Sequence, residues 1–421
     1  MNSRERLSAA LNHEPVDMLC VDFGAGGLTG MHVSIVHRLR EAVLGPSDFR
    51  IKVIEPYQML GEIDEELRHA LELDVVGVEA PRTMFGFPNR GWKDWILNDG
   101  TPVLVPENFN TSRDSEGNTY IYPEGDSSAP PCAVMPKGGY FFDSIIRQPP
   151  IDDSKLDPQE NLEEFGPISV ADLDFLSRQV RDLREFTDSG IYMPLGGLAF
   201  GDIALVPAPW LKNPHGVRDV EEWYLSLALR PDYIKKVFEN QCEIALKNIE
   251  KTANAVGDAV DVVFVSGTDF GSQQGLILSR ETYRQLFFPF QRAVNDKIHE
   301  LTPWKTFIHS CGAVSELIPD FIEAGFDIFN PVQCSALGMD PKRLKNEFGR
   351  DIVFWGGGVD TQKTLPFGTP DDVYREVRDR IEIFSEGSGF VFSSIHNIQA
   401  ETPIENVQAV FSAIKHSRQG C

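Results

Sequence analysis

The feature that most constrains the fold is a repeated unit in the last third of the chain. Between residues 305 and 396, short apolar runs end abruptly in polar or glycine-rich turns, with helical patterns between them. Such alternation is typical of βα units in a parallel sheet. About eight such units can be counted along the chain, which favours a closed barrel over an open sheet. The four clearest runs are Thr306–Ile308, Phe326–Cys334, Ile352–Asp360 and Phe390–His396.

We therefore predict one α/β domain over residues 1–421, a TIM (β/α)8 barrel. Helical periodicity predicts a long helical region over Val220–Ala255 and a helix over Arg280–Leu301. From about residue 82 to 165 the rhythm breaks, and turn sequences at 98–100 and 115–118 are flanked by β-prone runs. We interpret this segment as an inserted β and loop excursion over the barrel mouth, which either shapes a pocket or is a solvated addition.

Composition excludes several classes of partner. The chain has 63 acidic against 39 basic residues, a formal charge of −24, and such a surface repels the phosphates of nucleic acid. No apolar run approaches the roughly 18 residues of a membrane span, and the amino terminus lacks a signal-peptide core. The six cysteines show no framework spacing, so we expect them to be reduced and the protein to be cytoplasmic.

The sharpest chemical motif is His309-Ser310-Cys311, at the carboxyl end of a predicted strand. An imidazole and a thiolate two residues apart can bind one metal ion, and this donor mixture suits Zn²⁺. A third ligand must come from another strand end, where Cys334 and His396 are the candidates. Alternatively, Cys311 is a buried apolar residue and His309 a hydrogen-bonded core histidine.

Other polar residues follow strands at the same predicted edge. Asp269 and Asp360 could each orient a ligand, act as acid or base, or cap the next helix. The amides of Gln273, Gln333 and Asn397 are candidates for binding a polar substrate, although Asn397 could also cap a helix.

Several motifs, taken together and in order, resemble the uroporphyrinogen decarboxylase superfamily over nearly the whole chain. The similarity is greatest to its branch of cobalamin-dependent methyltransferases, which act on methanol, methylamine, coenzyme M and methoxylated compounds. The motifs are Arg4–Leu7 with Pro15–Asp17, Asp269–Gln273, Lys305–Gly312, Asn330–Gln333, Gly357–Asp360 and Thr402-Pro403.

The resemblance implies a zinc site. In the methyltransferase branch, zinc is bound by H-x-C and by a distal cysteine shortly before the closing T-P-x-x-N segment. His309 and Cys311 match the first two ligands, but His396 occupies the distal position. We therefore favour His396 over Cys334 as the third ligand, which gives a more electrophilic metal than two thiolates would.

The resemblance also implies partners and a reaction. We expect a methyl group to move between a small O-, S- or N-methyl compound, or a thiol, and a corrinoid carried on a separate protein. A methoxylated donor is preferred because the metal would be electrophilic. Family members are often homodimers, so the resemblance also implies a possible homodimer.

Two other functions remain open. True decarboxylases bind substrate carboxylates through an amino-terminal arginine-rich motif, whereas this chain has Gly24–Gly27 after its first strand, without an arginine. A metal-independent decarboxylase or lyase using Asp269 or Asp360 is the alternative enzyme. A ligand-binding barrel without turnover is the non-enzymatic alternative.

Overall fold

A central sheet of eight parallel strands organises the molecule. The computed structural model describes residues 1–162 and 165–419, so residues 163–164 of the predicted insertion and Cys421 lie outside the described residues. The strands are β1 (Cys20–Val21), β2 (Val75–Gly77), β3 (Gly190–Pro194), β4 (Val262–Ser266), β5 (Lys305–His309), β6 (Ile328–Asn330), β7 (Val353–Trp355) and β8 (Phe390–Phe392).

The sheet closes on itself. Neighbouring strands pair in the order β1-β8-β7-β6-β5-β4-β3-β2. Strands β1 and β2 are joined through Asp74, whose Oδ2 accepts the Val21 N–H at 2.8 Å and whose own N–H donates to the Val21 carbonyl at 2.8 Å. A Cβ on Gly77 would lie 1.8 Å from the Ala25 carbonyl oxygen, so only glycine permits this closure. The predicted TIM barrel is confirmed.

Aromatic side chains fill the barrel below its mouth. The Phe307 ring contacts Tyr192 and Trp355, with ring centroids 5.5 and 5.6 Å apart. The first helix, Ser3–Leu11, packs Leu7 into the same buried cluster and covers the amino end of the barrel. Because side chains alternate along a strand, His309 lies on the inward face two residues beyond Phe307.

A buried ionic cluster ties both ends of the chain to the barrel. Asp74 forms ion pairs with Arg6 of the first helix and, at 2.6 Å, with Arg418 of the last. Arg6 also bonds Asp17 at 2.8 Å. The amino-terminal motif with Arg6 and Asp17 therefore has a structural role at the barrel end opposite His309.

Helices surround the barrel, and two of the predicted helical segments each consist of two helices. Within Val220–Ala255 a second helix begins at Pro231, because proline is favoured in the first turn of a helix. Within Arg280–Leu301, Phe287 separates two helices. None of the helices in the described part of the chain could cross a membrane. The α-helices are Ser3–Leu11, Val33–Leu44, Glu65–Ala70, Val170–Phe186, Val220–Leu229, Pro231–Val256, Arg280–Leu286, Phe288–Leu301, Ile318–Glu323, Pro341–Phe348, Thr364–Phe367, Pro370–Ser385 and Ile404–Gln419.

Between β2 and β3 the chain forms small antiparallel sheets. A two-stranded sheet encloses the turn at 98–100, and a four-stranded sheet encloses the turn at 115–118. The His32 ring nitrogen Nε2 bonds the Tyr140 carbonyl at 3.0 Å and links this segment to the loop after β1. The strands are Lys93–Ile96 with Pro102–Val105, and Thr111–Arg113, Thr119–Ile121, Ala133–Met135 and Asp143–Ser144; a separate hairpin pairs Val53–Glu55 with Leu60–Gly61.

Candidate metal centre

Three of the predicted ligands converge at the carboxyl end of the barrel. His309 ends β5, Cys311 follows it, and His396 follows β8, and one ligand atom from each lies within 4.8 Å of the others. The His309 Nε2 atom is 3.2 Å from the Cys311 Sγ, and the two imidazole centroids are 5.7 Å apart. Cys334 is not part of this group. Its Sγ instead donates to the Val332 carbonyl at 3.2 Å.

A chain of buried hydrogen bonds orients the His309 ring. Asn330 at the end of β6 donates its Nδ2 to the Trp355 carbonyl at 2.7 Å, so its Oδ1 faces His309. That oxygen is 2.5 Å from His309 Nδ1 and can only accept, so Nδ1 carries the proton. Nε2 therefore carries a lone pair that faces the Cys311 thiol, and this is the tautomer that can bind a metal through Nε2.

The loop after β4 holds Cys311 in place. Asp269 Oδ1 accepts the backbone N–H of Cys311 at 2.7 Å. The next residue, Gly312, has φ +89°, and a Cβ there would lie 2.4 Å from the backbone of Gly271. A side chain at position 312 would thus push the two loops apart.

The protonation states suit metal binding. Burial lowers the pKa of His309, and burial together with His309 lowers the pKa of His396 to about 4, so both rings are neutral near pH 7. Burial and the nearby Asp269 carboxylate raise the pKa of the Cys311 thiol. A metal ion would displace the thiol proton and find two neutral imidazoles. This N₂S donor set fits Zn²⁺.

A cavity of about 510 Å³ adjoins the cluster. Cys311 and His396 line it, as do the three predicted substrate-binding amides, Gln273, Gln333 and Asn397. The candidate metal ligands therefore lie in the wall of a space that is large enough for a small ligand.

The two predicted catalytic carboxylates do not line this cavity. Asp269 lies behind Cys311, through the bond to its N–H. Asp360 accepts the backbone N–H of Gln362 at 2.8 Å and is buried. Both carboxylates thus stabilise backbone next to the cavity.

The Asn397 side chain is hydrogen-bonded to the loop after β1. Its Oδ1 accepts the Gly30 N–H at 2.6 Å, and its Nδ2 donates to the Gly27 carbonyl at 2.7 Å and to Gln58 Oε1 at 2.8 Å. With both amide protons used, the residue positions the neighbouring His396 and the glycine-rich loop.

Sequence reasoning missed two residues near the cluster. Asn330 was recognised only as part of a motif, although it shares the inward face of β6 with Ile328. Asp202 lies in the loop after β3, where burial and the Asp269 charge raise its pKa to about 7. Asp202 is eight residues beyond its strand, so no local pattern indicates it.

The family model and the first of two similar solved structures agree with this architecture. The model of the family "Uroporphyrinogen decarboxylase (URO-D)" matches residues 148–417, which include β3 to β8 and every candidate site residue. A methyltransferase from Methanosarcina mazei superposes with a TM-score of 0.54 at 16% identity, covering 99% of both chains. A β-glucosidase from Pyrococcus furiosus gives a TM-score of 0.40 at 12% identity, covering 96% of both. No curated protein sequence matches. The chain belongs to the uroporphyrinogen decarboxylase family.

Proposed function

We propose that the protein is a zinc-dependent methyltransferase that works with a corrinoid carried on a separate protein. The observation that carries the proposal is the convergence of His309, Cys311 and His396 beside the cavity. Three protein ligands with a fourth position open to a cavity are typical of catalytic rather than structural zinc. Zinc bound there would supply a Lewis acid for the oxygen, sulfur or nitrogen of a small methylated substrate or thiol.

The surrounding residues keep this arrangement rigid. Asn330 holds His309 in the ligand tautomer, and Asp269 anchors the backbone at Cys311. Gln333 Oε1 accepts the Gly312 N–H at 2.7 Å, which joins the loops after β5 and β6. Preorganised ligands avoid the cost of ordering the site when a metal or substrate binds.

Methyl transfer is supported over decarboxylation by two observations. The Methanosarcina mazei structure that shares the fold along 99% of both chains is a methyltransferase. A decarboxylase for a carboxylate-rich tetrapyrrole needs cationic side chains around its substrate, yet none of the described residues lining the cavity is Lys or Arg. Because one thiolate leaves the metal electrophilic, we favour an O-methyl donor as the substrate.

The zinc content of anaerobically purified protein, prepared without chelators or a histidine tag, tests the proposal. We expect about one zinc per chain, as three protein ligands define one catalytic site. Cys311→Ala and His396→Ala should lose the metal because each removes one ligand. Cys334→Ala is the matched control and should retain it, since that thiol bonds a carbonyl instead.

Methyl transfer to a corrinoid protein provides the second measurement. The Cys311→Ala variant should lose transfer, and an undiminished rate would contradict the proposed mechanism. Metal-free protein that takes up no added zinc would also refute it. That result would favour the alternative, a metal-independent decarboxylase or lyase that uses Asp269 or Asp360.

A further inference from the structure

The described wall of the cavity contains several polar side chains but no formally charged residue. Beyond the proposed ligands, it presents hydroxyls and carboxamides, and none of the described residues that line it is acidic or basic. A lining of this kind can bind oxygen and nitrogen atoms of a ligand but cannot neutralise a charged group. The polar side chains are Ser272, Thr361, Gln273, Gln333, Gln362, Asn397 and Gln399.

Gln333 is the amide best placed to bind a substrate. Its side chain is buried, with 5% of the residue exposed, and its Oε1 accepts the Gly312 N–H at 2.7 Å. Because a backbone N–H can only donate, this contact fixes which end of the amide is oxygen. The Nε2 group therefore points away from Gly312, and no acceptor for it is found among the described residues. Because Gln333 lines the cavity, its two N–H donors remain available to an acceptor that a ligand supplies.

Other amides at the cavity are already engaged. Gln273 Nε2 donates to Gln362 Oε1 at 3.2 Å, and Gln399 Nε2 donates to the Asn397 carbonyl at 3.4 Å. Asn397 itself is held by the loop after β1. These contacts distinguish Gln333, which is buried and retains its donors.

The charges around the cavity disfavour an anionic ligand. Asp269 lies directly behind Cys311 and contributes negative potential. The basic side chains of Lys363, Arg375 and Arg380 line a separate surface groove. Both arginines are paired with carboxylates of their own helix, Pro370–Ser385. A substrate carboxylate held in the cavity away from the metal would therefore lose its hydration without gaining a counter-charge.

We infer that the site takes an uncharged, oxygen-bearing methyl compound, and that Gln333 Nε2 donates a hydrogen bond to an oxygen of that substrate. The reaction in which the compound takes part rests on the proposed function. The binding preference rests on the cavity alone, so it can be measured without a corrinoid or turnover.

An isosteric pair of probes tests the preference. The amide 3-methoxybenzamide and the acid 3-methoxybenzoate have the same shape and differ in charge at neutral pH. Binding of each to the full-length protein, with and without zinc, would be measured by titration calorimetry. Without zinc, which could itself ligate the carboxylate, we expect the amide to bind at least about tenfold more tightly, because the acid then places an unpaired charge in the cavity.

Substitution of Gln333 tests the residue. Gln333→Glu keeps an oxygen to accept the Gly312 N–H, so the loops should stay joined, but it replaces the NH₂ group with a charged acceptor. We expect it to weaken binding of 3-methoxybenzamide about tenfold or more. Gln273→Glu adds the same charge at a more exposed part of the lining and should have a smaller effect. Zinc content and thermal unfolding would show that both variants are folded and loaded.

Three results would overturn the inference: binding of the acid to the zinc-free protein at least as tight as that of the amide, binding of neither probe, or unchanged binding in Gln333→Glu. A protein that prefers the amide but transfers no methyl group would refute the proposed function and leave the preference standing. A protein that transfers methyl groups but does not prefer the amide would refute the binding preference and leave the proposed function standing.

Discussion

Replacement of Asn330 by alanine tests whether the hydrogen-bond chain behind His309 controls metal binding. The substitution removes the oxygen that lies 2.5 Å from His309 Nδ1. Without this acceptor, the ring gains nothing from carrying its proton on Nδ1, and the competing tautomer places the proton on Nε2. That tautomer cannot bind a metal through the nitrogen that faces Cys311.

The size of the effect follows from the role of such partners. Loss of a hydrogen-bond partner behind a metal-bound histidine costs about 10- to 100-fold in metal affinity. This corresponds to about 1.4 to 2.7 kcal/mol of binding free energy. The variant also loses the buried bond from Asn330 Nδ2 to the Trp355 carbonyl, which should lower the free energy of unfolding by about 1 to 3 kcal/mol.

Asn406 provides the matched control. It is also buried, and its Nδ2 donates to the Leu365 and Gly368 carbonyls at 2.8 and 2.9 Å, away from the candidate metal centre. Asn406→Ala should lose similar folding stability but keep the wild-type affinity for zinc, measured by competition with a chromophoric chelator. Equal zinc affinities for wild type and Asn330→Ala would refute the assigned role of Asn330.

Two further predictions concern stability. Asp74→Asn should lower the free energy of unfolding in urea by about 3 to 5 kcal/mol, because two buried arginines lose their carboxylate, whereas the exposed pair removed by Glu347→Gln should cost under about 1 kcal/mol. Similar losses would contradict the role of Asp74. For Asp202, burial and Asp269 raise the native pKa from 3.8 to about 7, so its protonated form favours the native state and this contribution is lost as pH rises through 7. The free energy of unfolding of Asp202→Asn should therefore rise relative to that of wild type between pH 4 and pH 8. If the difference between the two proteins is the same at both pH values, the raised pKa of Asp202 is contradicted.

The barrel and two candidate ligands could be predicted because both are local patterns. Apolar runs that end in polar turns indicate the strands, and His309 and Cys311 occupy one turn. For the third ligand, residue spacing leaves His396 and Cys334 both open, because β5 and β8 are separated by two other strands in the sheet, and only the family resemblance favours His396. Only closure of the barrel brings His396 to Cys311, while Cys334, on the loop after the neighbouring strand, turns its thiol toward the Val332 carbonyl.

The orientation of polar groups could not be predicted from spacing either. Asn330, Gln333 and Asn397 are all amides beside strand ends, yet they have different partners. Each partner comes from another loop or strand: the His309 ring, the Gly312 N–H and the Gly30 N–H. Sequence identifies the residue type near the cavity, whereas tertiary contacts decide which of its atoms remain available.

The electrostatics of the cavity connect the proposed metal with the inferred substrate. One thiolate and two neutral imidazoles would leave a divalent zinc ion with a net positive charge, and the other side chains lining the cavity are uncharged. An uncharged methyl compound would then be oriented by two contacts, its reacting heteroatom at the metal and a second oxygen at Gln333. A carboxylate would compete for the metal itself and reverse that orientation. A single thiolate among the proposed ligands and the absence of cations among the described lining residues therefore favour the same kind of substrate.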